Sequence, residues 1–387
     1  YILQGTSLDT TGGLTLGASA GNASFNFVMT GNGGLTKNSP GLLILNNKDC
    51  TYSGATVANA GVLRIGESYH DNAQKVPSTS NLELNNATLA VYYYWNRSLG
   101  TGPGEMQLTG GKCGLNMMQG DAAGPLWTVN ATPTYEVVWG TNTFNPSTLS
   151  FNDADYTSAI YVRFVNKLDL NGANRTIGAG HATNYGQIEG IIRNSQATPA
   201  GIIKTGIGEL RLTAANEFDG PVEIQEGTLR VTAMADGGAN SQIGASSAGA
   251  TNLVLNGGTL LYAGNGHSSD RGLSFGAGGG TLSASGTGAL NLTTTNNPGW
   301  GTVDQARTVT LGGSYAGDNT LAAHIADNGT GPVSLSKTGD GAWKLTGTNT
   351  YSGSNTVSAG FLVASSAGSL SGWDDTGNVI FDGGTVV

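Results

Sequence analysis

Three pairs of carboxylates are spaced closely enough to share one reaction centre: Asp153 with Asp155, Glu223 with Glu226, and Asp374 with Asp375. Converging carboxylates are the acid and base groups of polysaccharide hydrolases and lyases. Asp153 and Asp155 flank a single residue and would share one side of a strand, as a glycosidase dyad or a calcium ligand pair requires. No pair carries a recognisable partner motif, and a polar turn at Asn152-Asp153 is the simpler interpretation.

Metal and phosphate sites find little support in the sequence. The glycine-rich run 276–280 is followed by neither a helix nor the Lys-Ser/Thr of a phosphate loop, so it is interpreted as a turn. The histidines stand in polar, Gly- or Asn-rich surroundings without the spacing of metal ligands, which predicts exposed loop positions. They are His70, His181, His267 and His324. We therefore expect no enzyme activity, no metal and no cofactor.

The charge balance narrows the possible partners. The 387 residues carry 17 Lys and Arg against 26 Asp and Glu, a net charge of −9. An acidic surface is a poor match for phosphate, so nucleic acid is not an expected partner. The longest apolar runs fall well short of a transmembrane helix.

A pattern of about thirty residues recurs near 33–66, 201–232 and 331–364. It comprises a lysine, a glycine four residues later, two alternating apolar residues, an aromatic-x-Gly and a Gly-x-Leu. The lysines are Lys37, Lys204 and Lys337. They are interpreted as solvating residues at exposed strand edges, where lysine discourages lateral pairing.

The apolar residues of the repeat alternate and are bounded by Gly, Asn and Asp, which predicts short strands. A strand this short buries one row of side chains and needs an equivalent neighbour above and below it. The prediction is an all-β chain, a parallel β-solenoid over residues 1–387 with short loop insertions. With strands about 4.8 Å apart and about sixteen coils, it would be a rod roughly 80 Å long.

The segments 34–45, 336–353 and 252–260 resemble the autotransporter-associated β-strand repeat, also called the passenger-associated transport repeat. The Lys-x-x-x-Gly-x-Leu-x-Leu spacing and the Asn-x-Tyr-x-Gly that follows carry the resemblance. It implies a right-handed β-helix that is exported to the bacterial surface. It also implies no catalytic residue, because the repeat is a folding and transport element.

The chain starts at Tyr1 with no basic or apolar leader region, so any signal peptide is expected to have been removed or left out. The sequence ends inside a repeat, so the open last coil suggests either a fragment or a docking end. Stacking of terminal coils would make a head-to-tail filament, with the chain as its own partner. The candidate interface residues at the two ends are Ile2, Leu3, Leu8, Leu14, Leu16, Val379, Phe381, Val386 and Val387. This favours a non-enzymatic extracellular structural rod.

An aromatic-rich insertion is expected within 90–165. In the run Tyr92, Tyr93, Tyr94 and Trp95, strand alternation puts two rings on each face, so two should point outward. Exposed rings could bind surface glycans or a subunit, whereas core filling or loop covering is the plainer interpretation. The alternative function is accordingly an adhesin that binds glycan or host surface, and a polysaccharide-active enzyme comes third.

Two cysteines, Cys50 and Cys113, are sixty-three residues apart in the sequence. Three coils of separation exceed the reach of a disulfide unless a loop brings the two together. Both a bridge and two separate buried or loop thiols stay open.

Overall fold

A computed structural model of the chain describes residues 2–3, 7–17, 21–46, 49–66, 75–92, 94–118, 126–129, 134–153, 160–374 and 378–387. Unit 1 comprises Tyr1–Asn171 and Arg175–Ile191, and unit 2 comprises Gly172–Asn174 and Ile192–Val387. The predicted all-β parallel solenoid is confirmed, with about 14 turns where the sequence suggested about sixteen. A single solenoid over 1–387 stays a prediction.

Unit 1 contains twenty-one strands among its described residues. They are β1 (Ile2–Leu3), β2 (Ser7–Asp9), β3 (Leu14–Leu16), β4 (Asn22–Phe25), β5 (Val28–Thr30), β6 (Leu35–Lys37), β7 (Leu42–Leu45), β8 (Thr56–Ala58), β9 (Val62–Ile65), β10 (Leu82–Asn85), β11 (Thr88–Val91), β12 (Tyr94–Arg97), β13 (Met106–Gly110), β14 (Lys112–Met117), β15 (Leu126–Val129), β16 (Glu136–Val138), β17 (Thr148–Phe151), β18 (Val162–Phe164), β19 (Lys167–Asp169), β20 (Arg175–Ala179) and β21 (Tyr185–Ile188).

Unit 2 contains nineteen strands among its described residues, with two single-turn 3-10 helices, Ala250–Asn252 and Ala367–Ser369. The strands are β22 (Ile192–Arg193), β23 (Ile202–Thr205), β24 (Glu209–Leu212), β25 (Val222–Ile224), β26 (Thr228–Val231), β27 (Leu253–Leu255), β28 (Thr259–Tyr262), β29 (Asn265–Ser269), β30 (Ser274–Phe275), β31 (Gly280–Ala284), β32 (Gly288–Leu292), β33 (Arg307–Gly312), β34 (Asp318–Leu321), β35 (Val333–Lys337), β36 (Ala342–Leu345), β37 (Asn355–Val357), β38 (Phe361–Ala364), β39 (Val379–Phe381) and β40 (Thr385–Val386).

Parallel sheets run through each unit. In unit 1 the strand orders are β1-β4-β7-β9-β11-β14-β17-β20, β3-β6-β8-β10-β13 and β12-β15-β18-β21, with the pairs β2-β5 and β16-β19. In unit 2 they are β23-β25-β27-β30, β24-β26-β28-β31-β33-β35-β37-β39 and β29-β32-β34-β36-β38-β40. Neighbouring strands come from successive coils, which is the arrangement the repeat predicts.

The core consists of rows of apolar side chains that continue from strand to strand. In unit 2, Leu210, Leu229, Leu260 and Leu282 are paired in register on β24, β26, β28 and β31, and each is fully buried. The residues between them on each strand face outward and are partly exposed. Period-two alternation therefore separates core from surface on these four strands.

Candidate functional site

The three repeat lysines lie inside the solenoid, so the prediction that they solvate exposed edges is wrong. Lys37, Lys204 and Lys337 are 1%, 0% and 0% exposed. Lys337 occupies an inward apolar row, paired with Leu311 on one side and Val357 on the other. A charge in that position needs partners other than water.

The ammonium group of Lys204 is held by three backbone carbonyls. Its Nζ donates to the oxygens of Thr205 at 2.8 Å, Gly206 at 2.6 Å and Glu226 at 3.0 Å. The first carbonyl belongs to the last residue of the lysine's own strand, the second to the turn that follows, and the third to the following coil. An ammonium has three donors, and all three are used here. The lysine therefore fastens two successive coils together.

The other two copies repeat this arrangement. Lys337 Nζ donates to the carbonyls of Thr338 at 2.7 Å, Gly339 at 2.6 Å and Ala359 at 3.0 Å. Lys37 Nζ donates to the carbonyls of Ser39 at 2.5 Å and Ala60 at 2.7 Å. The turn carbonyls are otherwise short of donors, so the buried amine satisfies groups that would be costly to leave unpaired.

Burial lowers the pKa of all three lysines from 10.5 to about 8, because the charged form loses its hydration. The amines are therefore protonated at neutral pH. Above pH 8 and below 10.5, the unfolded chain holds protons that the folded chain has released. The contribution of each lysine to the free energy of unfolding consequently rises with pH across that window and is constant below it.

A glycine follows each carbonyl that the next coil supplies. Gly227 follows Glu226 and has φ +62°. A Cβ on Gly227 would lie 2.4 Å from the carbonyl oxygen of Gly206 and 2.6 Å from that of Gly208. Equivalent close approaches occur at Gly61 and Gly360. The Gly-x-Leu of the repeat is therefore the contact point between adjacent turns.

The repeat aromatic closes the corner that precedes the next strand. Tyr52 bonds Thr56 Oγ1 at 2.6 Å, and Tyr351 donates to Asn355 Oδ1 at 2.5 Å. The second copy instead has Phe218, with Val222 four residues later, and both are fully buried. A buried hydroxyl needs a hydrogen-bond partner, so the second copy, which lacks the tyrosine hydroxyl, also lacks the polar residue four positions later.

The carboxylate candidates do not form a reaction centre in the described part of the chain. Asp153 is 3% exposed; its Oδ2 lies 2.6 Å from Lys112 Nζ and accepts from Thr88 Oγ1 at 3.1 Å. Asp155 and Asp375 lie outside the described residues. Asp153 is thus a buried structural anion rather than part of a polar exposed turn.

The second acidic pair is also occupied by local contacts. Glu226 accepts the N–H of Gly206 at 3.0 Å, and Glu223 accepts from Asn256 Nδ2 at 3.0 Å. Among the residues that the structure describes, no group of three or more His, Cys, Asp or Glu is placed to hold a metal ion. His267 lies on β29 rather than in a loop, and its Nδ1 bonds Tyr262 Oη at 2.8 Å.

Trp95 is 5% exposed, so the prediction that it belongs to an exposed contact surface is wrong. Its ring lies 5.8 Å from that of Trp127 and its Nε1 contacts Met106 Sδ at 3.3 Å. Trp95 on β12 and Trp127 on β15 are paired in register on successive coils, so the two indoles pack against each other and fill the core. Tyr92 is half-buried, with the Arg64 guanidinium 6.0 Å from its ring. Tyr93 and the side chain of Tyr94 lie outside the described residues.

The terminal candidates differ in exposure. Leu16 is 8% exposed and belongs to the core, whereas Leu8 and Leu14 are half-buried; the side chains of Ile2 and Leu3 lie outside the described residues. At the other end, Phe381 is 60% and Val387 is 65% exposed, and Val379 and Val386 are half-buried. Their role in stacking between copies stays a prediction.

Both cysteines are free thiols in the core, so of the two alternatives the structure has separate buried thiols. Cys113 Sγ donates to carbonyls of Leu84 and Gly110, and burial raises its pKa to about 11. Burial also raises the pKa of Cys50. Neither thiol is therefore activated as a nucleophile.

Among the described residues, no helix is long and apolar enough to cross a membrane.

Comparison with known proteins adds a family pattern and one relative. Residues 35–65, 202–231 and 335–364 match the passenger-associated-transport-repeat. The chain is 32% identical to the protein named Adhesin BmaC autotransporter of Brucella suis biovar 1 (strain 1330), over 97% of this chain and 10% of the relative. The chain therefore spans about a tenth of that relative's length. No solved structure matches the chain.

Proposed function

We propose that the chain, which carries three passenger-associated-transport-repeats, is an exported, surface-exposed and non-enzymatic structural segment of an adhesin-type passenger. The observation that supports this is the use made of the repeated residues. The lysine and the glycine that follows the next coil's carbonyl make contacts between coils, and the corner aromatic holds the turn that precedes the next strand. The residues that recur in the sequence therefore stabilise the solenoid, and the outward-facing residues are free to vary.

The acidic residues support the same proposal. Asp153 is bonded to Lys112 and Thr88 within the core, and Glu226 caps the turn at Gly206. Carboxylates held in this way do not converge on an open face, where a glycosidase would need them. The relative's name, an adhesin, agrees with a binding role rather than a hydrolytic one.

We expect beads coated with the purified chain to adhere to cultured animal cells more than beads coated with albumin. The same protein should release no reducing sugars or unsaturated products from a panel of polysaccharides. Asp153→Asn should change neither result beyond its effect on folding, which circular dichroism monitors. Product release by the wild-type chain that Asp153→Asn abolishes would instead establish an enzyme.

A finer proposal concerns assembly by parallel strand pairing, with a second copy as the partner. The last two described coils carry exposed apolar side chains: Phe361, Trp373, Ile380, Phe381 and Val387 are 47%, 55%, 46%, 60% and 65% exposed. Strands β39 and β40 pair on one side only, with β37 and β38. An open edge with an apolar row is a template for another strand. The expected contacts are Val379, Phe381 and Val386 against Leu3, Leu8 or Leu14 of the second copy.

The backbone of Val386 provides a selective test of this assembly. Thr385 N donates to Gly360 O and Val387 N to Leu362 O, both at 2.9 Å, so the intervening N–H points to the open side. Val386→Pro should leave the monomer folded and stop concentration-dependent growth in sedimentation velocity and negative-stain electron microscopy. Val386→Lys should do the same through charge. A wild-type chain that stays monomeric at all concentrations, or a proline variant that still forms filaments, would contradict the proposal.

A further inference from the structure

Six hydroxyl side chains stand in one outward row across six adjacent strands of unit 2. The strands are β26, β28, β31, β33, β35 and β37, and each residue is paired in register with the next. The row is Thr228, Thr259, Thr281, Thr310, Ser336 and Thr356. All six are partly exposed, while the residue after each of them is buried. Sequence periodicity marks these positions as outward but does not show that they are in register.

The row is regular and is held on a rigid base. Adjacent parallel strands place equivalent residues about 4.8 Å apart, so the row extends over roughly 24 Å. The buried residues beneath it include Leu229, Leu260, Leu282 and Leu311, all fully buried. Because the backbone is fixed by the sheet, little conformational freedom is lost when a ligand binds to it.

The hydroxyls of the row are available for binding. None of the six makes a side-chain hydrogen bond within the part of the chain that the structure describes. Other hydroxyls of the solenoid are occupied: Ser269 donates to Ala235 O and Ser274 to Ala250 O, both at 2.8 Å. A free threonine hydroxyl offers one donor and two acceptor lone pairs, beside a methyl group.

The row is also uncharged along its whole length. Charged side chains occur at its first strand, where Arg230 stands two residues after Thr228. On the strand before it, Glu209 is in register with Thr228 and forms ion pairs with Arg211 and Arg230. The position after the last hydroxyl is Ile380. With a net charge of −9 on the whole chain, an acidic polymer would be repelled rather than attracted. The charge pattern therefore fits a neutral partner.

We propose that this hydroxyl row is a binding surface for an uncharged linear polysaccharide that lies along it. The inference rests on the proposed adhesive function and names its ligand class. A linear polysaccharide presents hydroxyls at a regular interval, which a periodic row of donors and acceptors can engage at successive sites. Single contacts are weak, but several on one rigid surface act together. A protein partner would need a larger apolar centre than the row offers.

Binding of neutral cellohexaose, laminarihexaose and mannohexaose to the purified chain, measured by calorimetry and on a glycan array, tests the inference. We expect at least one to bind, and its affinity to be insensitive to sodium chloride because no ion pair is made. Thr281→Val keeps the branched shape and removes the hydroxyl. The double variant with Thr310→Val should bind about tenfold more weakly, from the loss of two hydrogen bonds.

Thr320→Val is the matched control, since Thr320 is a partly exposed strand threonine on a different sheet of the same unit. It should bind as the wild-type chain does. Failure of all three neutral hexamers to bind would overturn the inference, and so would equal losses in Thr281→Val and Thr320→Val. Stronger binding to an acidic hexagalacturonate would also overturn it. Bead adhesion that persists without any of this binding would reject the row while leaving the adhesive function in place.

Discussion

Replacing the buried Lys337 by methionine should destabilise the third repeat far more than the loss of an exposed lysine would. Methionine has a similar length and no donor, so the carbonyls of Thr338, Gly339 and Ala359 lose their partner. A buried group left unpaired costs about 1–3 kcal/mol, and relief of the buried charge offsets part of that sum. We expect a net loss of about 3 kcal/mol, measured by urea unfolding and by amide hydrogen exchange within residues 333–362.

Lys344→Met is the matched control, because Lys344 lies seven residues away on β36 and is partly exposed. Its loss should change stability by less than about 0.5 kcal/mol. Equal effects of the two variants would contradict a stabilising role for the hydrogen bonds between Lys337 and the three carbonyls. The pH dependence gives a second readout: between pH 8 and 9, the free energy of unfolding of the wild-type chain should rise relative to that of the variant. A gap that does not grow with pH would argue against a buried lysine with a lowered pKa.

Gly227→Ala should be more damaging still. The new Cβ would lie 2.4 Å and 2.6 Å from two backbone oxygens, those of Gly206 and Gly208, which cannot move without opening the turn. The displaced turn also carries the Gly206 carbonyl, which accepts from the Lys204 ammonium group. We expect a loss on the order of 4 kcal/mol or more, in the range of the severest single substitutions. Thermal unfolding and hydrogen exchange of β24 and β26 would report it.

Gly238→Ala separates the close approach from the backbone conformation. Gly238 also has a positive φ, +86°, but its added Cβ would meet no atom within 4 Å. It should cost only the left-handed penalty of about 1–2 kcal/mol. If Gly227→Ala and Gly238→Ala destabilised the chain equally, the conformation alone would account for the repeat glycine and contact between turns would play no part.

The alternation of residues along the strands already predicts that the lysines face the core. Leu335 and Lys337 are two residues apart and therefore on one face, and Leu35 with Lys37 shows the same spacing. The prediction of exposed lysines is wrong because it rests on the charge of the side chain. The two-residue period of the strand places the same side chain in the core. Residue type favoured the surface, but the free carbonyls of the turn favoured the interior.

The aromatic residues show what strand alternation does not predict. Alternation along residues 92–95 predicts which rings share a face, but not which face is the core. Trp95 is buried because Trp127, thirty-two residues later, stands beside it on β15. That neighbour depends on the length of the connection between two coils, and the repeat pattern does not extend into this part of the chain.

By itself the sequence determined the class of fold, the three repeat copies and the alternation of buried and exposed positions, because a period of two and a fixed spacing are local properties. Tertiary structure decided which groups meet. Lys204 reaches a carbonyl twenty-two residues away, and six hydroxyls align across strands that span 129 positions, Thr228–Thr356. Such contacts depend on how many residues each coil consumes, and insertions of variable length conceal that number from any local pattern.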